Sequence, residues 1–127
     1  MDDDPTVRRA LGRLCRSAGC RPVTAVNPAD AMQKAPSAAA TAATGPSFEL
    51  AILDIDLGDP TRNGVDLGAW LIDGAYVNRV VFYSAQRDAA VYRRAMALGD
   101  YIEKGGGAEG STRLLRILSQ LPPRGTR

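Results

Sequence analysis

The chain contains no histidine. It can therefore supply no Ser-His-Asp or Cys-His catalytic pair, no imidazole metal ligand and no phosphohistidine of its own. Cysteine is nearly as scarce. Cys15 and Cys20 are the only two, too few for a disulfide framework and without zinc-ligand companions, which points to reduced thiols. Lysine is limited to Lys34 and Lys104, and the arginines that make up the rest of the basic set are scattered, so no basic footprint for nucleic acid stands out. No uninterrupted apolar run approaches the ~18 residues of a membrane span. The opening Met-Asp-Asp-Asp is the reverse of a basic signal-peptide start. These absences predict a soluble, cytoplasmic protein with neither nucleic acid nor membrane among its partners, whose chemistry runs on carboxylates, hydroxyls and amines.

What is present suits one compact domain: 127 residues, 45% apolar and 24% charged, with 16 Lys+Arg against 14 Asp+Glu. Over residues 5–18, Val7, Ala10, Leu11, Leu14, Cys15 and Ala18 recur at intervals of three and four between arginines. That spacing predicts an amphipathic helix opened by Asp4-Pro5 and stopped at Gly19. Residues 22–26 read as a short strand and residues 28–34 as a second helix behind Asn27-Pro28. Residues 35–47 are a low-complexity Ala/Thr/Ser/Pro/Gly segment with no large side chain to bury, which reads as a flexible loop with some helix possible in its alanines.

Three apolar runs follow, at residues 50–53, 80–83 and 101–103, ending respectively in Asp54, Ser84 and Lys104. Short runs buried on both faces suit parallel strands. Between and after them, residues 65–73, 87–98 and 109–121 carry helical stripes, such as Leu67, Trp70 and Leu71 or Leu114, Ile117, Leu118 and Leu121. Strands alternating with helices imply right-handed crossovers and a doubly wound parallel α/β domain over residues 1–121, with residues 122–127 as a tail. In such sheets the ligand sits beyond the carboxyl ends of the strands, where Asp54, Ser84 and Lys104 fall.

Asp2, Asp3 and Asp4 stand where a preceding strand would end. Carboxylates gathered at one site repel: two unit charges ~4 Å apart do so by ~4 kcal/mol at an effective dielectric of ~20. A divalent cation offsets that repulsion, and an all-oxygen donor set favours magnesium. A carboxylate nucleophile, a cation, a lysine and a hydroxyl are the parts needed to transfer a phosphoryl group. Singly, each residue also has a plainer role: Asp2 to Asp4 as a helix cap, Asp54 as turn chemistry, Lys104 as a surface lysine and Tyr101 as a core aromatic. Arg87, Arg93 and Arg94 read as a solvated helix face.

Taken in order, Asp2-Asp3-Asp4-Pro5, Leu53-Asp54-Ile55-Asp56-Leu57-Gly58, Val81-Phe82-Tyr83-Ser84-Ala85 and Asp100-Tyr101-Ile102-Glu103-Lys104 resemble the receiver domain of two-component response regulators over about the whole chain. The resemblance implies a flavodoxin-like fold with strand order 2-1-3-4-5. It implies that Asp54 accepts a phosphoryl group from a histidine kinase or phosphotransfer protein, in a phosphorelay without an output module. Asp2, Asp3 and Asp54, with the backbone carbonyl of Asp56, would hold Mg2+. Ser84 and Lys104 would contact the phosphoryl oxygens, Tyr101 would be the switch aromatic, and Asp56 and Gln86 would tune hydrolysis of the acyl phosphate.

Three features depart from that pattern. Gly105-Gly106-Gly107 replaces the usual proline after Lys104, and residues 35–47 lengthen the connection into the third strand. The apolar first strand that should precede Asp2 is missing, which is consistent with an internal start codon. A chain truly beginning at Met1 is expected to fold weakly, or to be repaired by a strand from elsewhere, and to leave the acidic pair disordered. Two other functions compete: a haloacid dehalogenase-like phosphatase using Asp54-Ile55-Asp56, and a receiver-like interaction module that is never phosphorylated.

Overall fold

The computed structural model describes residues 1–2, 4–20, 22–39, 48–55, 64–85, 88–104 and 108–121. Its elements run α1 (Pro5–Ser17), α2 (Pro28–Ala39), β1 (Phe48–Leu53), α3 (Gly64–Asp73), β2 (Val77–Ser84), α4 (Ala89–Leu98), β3 (Asp100–Glu103) and α5 (Ala108–Ser119). Local chemistry accounts for several of the boundaries. Asp4 caps α1 by accepting from the Thr6 N–H, with Pro5 at the first helical position. The helix ends in a Schellman turn, with Gly19 N–H on Arg16 O and Cys20 N–H on Cys15 O. That turn needs a left-handed residue, and Gly19 takes φ +83°. Asp88 caps α4 through the Ala90 and Val91 amides, so this helix starts at Ala89 rather than at Arg87.

The three strands form one parallel sheet in the order β1-β2-β3. Leu53 lies opposite Phe82 and Ser84 opposite Glu103, which brings the carboxyl ends of the strands to one edge. Successive residues of β2 enter opposite cores, as a strand covered on both faces requires. Val80 and Phe82 pack with Leu53, Val65, Leu67 and Leu71, whereas Val81 packs with Ile102, Leu114, Ile117 and Leu118. Burying each such Val, Leu, Ile or Phe contributes about 1.5–3 kcal/mol, so the sheet position of Asp54 and Ser84 is set by two apolar layers. Leu67 and Leu71 are buried and Trp70 half-buried, stacked on Tyr76 with ring centroids 5.0 Å apart; the stripes read in α3 and α5 are thus the faces that pack.

Helix α2 continues to Ala39, five residues past Lys34, which is the helix allowed for in the alanines of that segment, alanine having the highest helix propensity; residues 40–47 of the anticipated loop lie outside the described residues. One expectation changes. Residues 22–26 join no ladder, so the described sheet has three strands rather than four. The backbone groups of that segment find other partners: Ala25 O accepts from the Asp2 N–H at 3.2 Å, Thr24 O accepts from the Lys34 ammonium at 2.6 Å, and the Val26 N–H donates to Asp30 Oδ2 at 3.1 Å.

Candidate functional site

The site is assembled at the carboxyl ends of the three strands. Asp54 follows β1, Ser84 ends β2 and Lys104 follows β3, while Asp2 is brought alongside by backbone bonds at the chain start. The Met1 amine donates to Ile52 O at 2.6 Å, and the Asp54 N–H donates to Met1 O at 2.9 Å. Asp2 is 1% exposed, Asp54 5% and Ser84 0%. Those two bonds join Met1 to the end of β1 and hold Asp2 beside Asp54. Asp3 lies outside the described residues, as do Asp56 and Gln86.

Lys104 joins the carboxylates. Its Nζ is 2.6 Å from Asp2 Oδ2 and 3.1 Å from Asp54 Oδ2. The first contact is a short ion pair to a fully buried carboxylate oxygen. The remaining Asp2 oxygen accepts from the Asp4 N–H at 2.9 Å. Burial pushes the Asp54 carboxyl above its ordinary range; the Asp2 charge adds to that push, and Lys104 and Ser84 oppose it by hydrogen bonding. Burial also pulls on Lys104 in the direction of the neutral amine, but the two carboxylates outweigh it and raise its pKa overall. The Met1 ammonium is lowered to about 6 by burial, against the pull of Asp2 and Asp54.

Tyr101 is buried with its ring edge on Tyr92, centroids 5.1 Å apart. Its hydroxyl donates to Ser84 O at 3.2 Å, and the same carbonyl accepts from the Lys104 N–H at 3.0 Å. Burial raises the phenol above its ordinary pKa. Of the residues anticipated from sequence, Asp2, Asp54, Ser84, Lys104 and Tyr101 therefore meet at one place. Gly64 lets α3 begin against that place: its N–H donates to Ile55 O at 3.1 Å, and a Cβ there would collide with the Asp54 carbonyl.

Two participants were not anticipated. The Met1 amine enters the strand register, and Arg8, one of the arginines between the apolar positions of α1, turns its guanidinium onto Asp2 O at 2.9 Å. No local pattern announces either, since both depend on where Asp2 is placed in space. Among the described residues no group of three His, Cys, Asp or Glu side chains converges as a metal cage. The pair that does converge offers oxygens only, the donor set that suits a hard cation, and both carboxylates are buried. No helix among the described residues is long and apolar enough to cross a membrane.

Comparison with known proteins agrees with this geometry. The sequence profile of the response regulator receiver domain matches residues 1–113. No curated protein matches the chain. Among solved structures, the chemotaxis protein CheY4 of Vibrio cholerae is 18% identical with a TM-score of 0.69, covering 92% of each chain. The response regulator TrrA of Thermotoga maritima, solved with Mg2+ and a beryllium fluoride, is 20% identical with a TM-score of 0.69, over 92% of this chain and 93% of that one. A receiver domain protein of Clostridium thermocellum is 18% identical with a TM-score of 0.71, over 93% and 89%. At these identities the likeness is one of fold.

Proposed function

The chain belongs to the response regulator receiver domain family, and from that premise we propose that it is a phosphoacceptor, taking a phosphoryl group onto Asp54 from the phosphohistidine of a partner kinase or phosphotransfer protein. The observation that carries this reading is the position of Lys104, whose ammonium contacts both Asp2 and Asp54 beside the buried Ser84. A carboxylate nucleophile, a second carboxylate, a cation and a hydroxyl thus share one strand edge. The absence of histidine from the chain suits the receiving half of such a relay, because the donor nitrogen belongs to the partner.

In the transfer an Asp54 carboxylate oxygen attacks phosphorus in line and the P–N bond to the partner's imidazole breaks. The imidazole nitrogen departs with the electron pair and takes up a proton. Ser84 donates its hydroxyl to a phosphoryl oxygen, and Lys104 moves its positive charge from the carboxylate pair to the same group. Asp2, Asp3 and Asp54, with the Asp56 carbonyl, are the residues that would hold Mg2+, which when bound neutralises charge on the phosphoryl oxygens. Tyr101 answers the change at Ser84 through their shared hydrogen bond, and Asp56 and Gln86 tune hydrolysis of the acyl phosphate. The setting is a cytoplasmic two-component system of the bacterial kind.

Intact-mass measurement after incubation with acetyl phosphate and magnesium tests the proposal. One stoichiometric phosphate adduct is expected, lost in Asp54→Asn. A folded chain that takes no adduct overturns the proposal and leaves a non-phosphorylated interaction module. Turnover of a generic phosphate ester in place of a single adduct identifies a haloacid dehalogenase-like phosphatase.

A further inference from the structure

The two cysteines of the chain stand at the two ends of one turn. Cys15 lies in the last turn of α1 and Cys20 follows the left-handed Gly19, and the Cys20 N–H donates to Cys15 O at 2.9 Å. A backbone nitrogen lies about 1.5 Å from its own Cα and a carbonyl oxygen about 2.4 Å from its own. With 2.9 Å between that nitrogen and that oxygen, the two Cα atoms stand no more than ~6.8 Å apart, inside the ~4.4–6.8 Å that a disulfide spans. The side chains also turn the same way. Both pack, half-buried, against the layer formed by Val81, Ile102, Leu114, Ile117 and Leu118, as the residues flanking such a turn commonly do. Both are free thiols. Burial raises the Cys15 thiol above its ordinary pKa, and the nearby Cys20 raises it further.

We propose that Cys15 and Cys20 are a thiol pair that exchanges with low-molecular-weight disulfides and closes reversibly into an intramolecular disulfide. One cysteine thiolate attacks a sulfur of the small disulfide, whose S–S bond breaks and releases one small thiol. The second cysteine then attacks the resulting mixed disulfide and releases the other small thiol. The chain thus gives up two electrons and two protons, which leave on the two small thiols. Any apolar pair would serve the packing of this turn equally well, but only two thiols at this separation can be joined. The bond ties the end of α1 to the segment that follows it, whose Ala25 O accepts the Asp2 N–H. Gly19 makes the closure possible, because its φ of +83° turns the chain back toward α1. No atom lies within 4 Å of the place its Cβ would take, so a substitution there acts through backbone strain rather than through a collision.

The test equilibrates the full chain with fixed ratios of oxidised to reduced glutathione, quenches with acid and reads the intact mass. The expected product has lost about 2 Da, carries no glutathione and returns to the starting mass with dithiothreitol. Cys15→Ser and Cys20→Ser are each expected to stop at a single glutathione adduct. The equilibrium constant for closure is expected to be roughly tenfold or more larger in the folded chain than in urea, because the turn holds the two thiols together. Gly19→Val is expected to lose most of that advantage. A wild-type chain that keeps glutathione on its thiols, or that links into dimers on a non-reducing gel, overturns the proposal by showing that the two sulfurs do not meet. A mass that does not change overturns it as well. So does a closure constant no larger in the folded chain than in urea, which would make the pair a property of the sequence spacing and not of the turn, and so does a constant unmoved by Gly19→Val. None of these readouts involves phosphate, so their failure leaves the phosphoacceptor reading standing.

Discussion

The Tyr101 hydroxyl donates to the Ser84 carbonyl oxygen at 3.2 Å, so the buried aromatic of β3 is tied to the residue whose side chain bonds Asp54. The same carbonyl takes the Lys104 N–H at 3.0 Å. One acceptor therefore links the aromatic and the cation of the site, and a shift of the Ser84 backbone is transmitted to both.

Tyr101→Phe removes the hydroxyl and leaves the Ser84 carbonyl with its Lys104 partner. A buried acceptor that keeps one donor loses little, so the expected destabilisation is about 0.5–1 kcal/mol in urea unfolding. The Asp54 adduct is expected to persist. A loss above ~3 kcal/mol would show that the ring, not its hydroxyl, had moved.

The buried Met1 amine makes stability depend on pH. Its pKa falls from 8.0 unfolded to about 6 folded, so between those values the unfolded chain binds more protons and stability rises with pH. The gain across that window is on the order of 2–3 kcal/mol. Acetylation of Met1 is expected to stabilise the chain at pH 6 and to abolish the rise between pH 6 and 8, read from urea unfolding at each pH. An unchanged profile would place the amine in solvent.

Asp54 contributes with the opposite sign. Its folded pKa is raised above 3.8, so the folded chain holds the proton more tightly and stability falls as pH rises from 3.8 through the folded value. Asp54→Asn is expected to raise Tm at neutral pH and to make no difference below the ordinary carboxylate range. Lys104→Met leaves the buried pair without its cation and is expected to destabilise by roughly 2–3 kcal/mol, the ammonium being partly exposed. Magnesium should restore part of that loss in Lys104→Met and none in Lys104→Met combined with Asp54→Asn, as followed by thermal unfolding.

Gly64→Ala tests the contact that sets α3 against Asp54. The new Cβ meets the Asp54 carbonyl, and overpacking of this kind costs typically ~1–3 kcal/mol, more where backbone must shift. Lower Tm and a reduced rate of adduct formation are expected together. A Tm loss with an unchanged rate would separate the contact from the site.

Much of the site could be anticipated because its signals are local. Asp54 and Ser84 each close a short apolar run, and Lys104 follows a third; parallel strands then place such ends on one edge without further information. The helix limits at Gly19 and Gly99 are likewise written in one or two residues. What escaped is of another kind. Residues 22–26 have the composition of a strand but no ladder, and Arg8 bonds backward to Asp2 O. Each depends on what lies beside the segment.

The sequence by itself determined the alternation of helix and strand, the apolar stripes, and the identity of the carboxylates, hydroxyl and lysine. These follow from side-chain chemistry and from periods of two and 3.6 residues. Only the tertiary structure decided that Lys104 bridges Asp2 and Asp54, that Tyr101 holds the Ser84 carbonyl, and that Met1 bonds the end of β1. A ladder bond or an ion pair requires a partner at a fixed distance in space. The chain's order along itself carries no such distance until two apolar layers have packed the sheet.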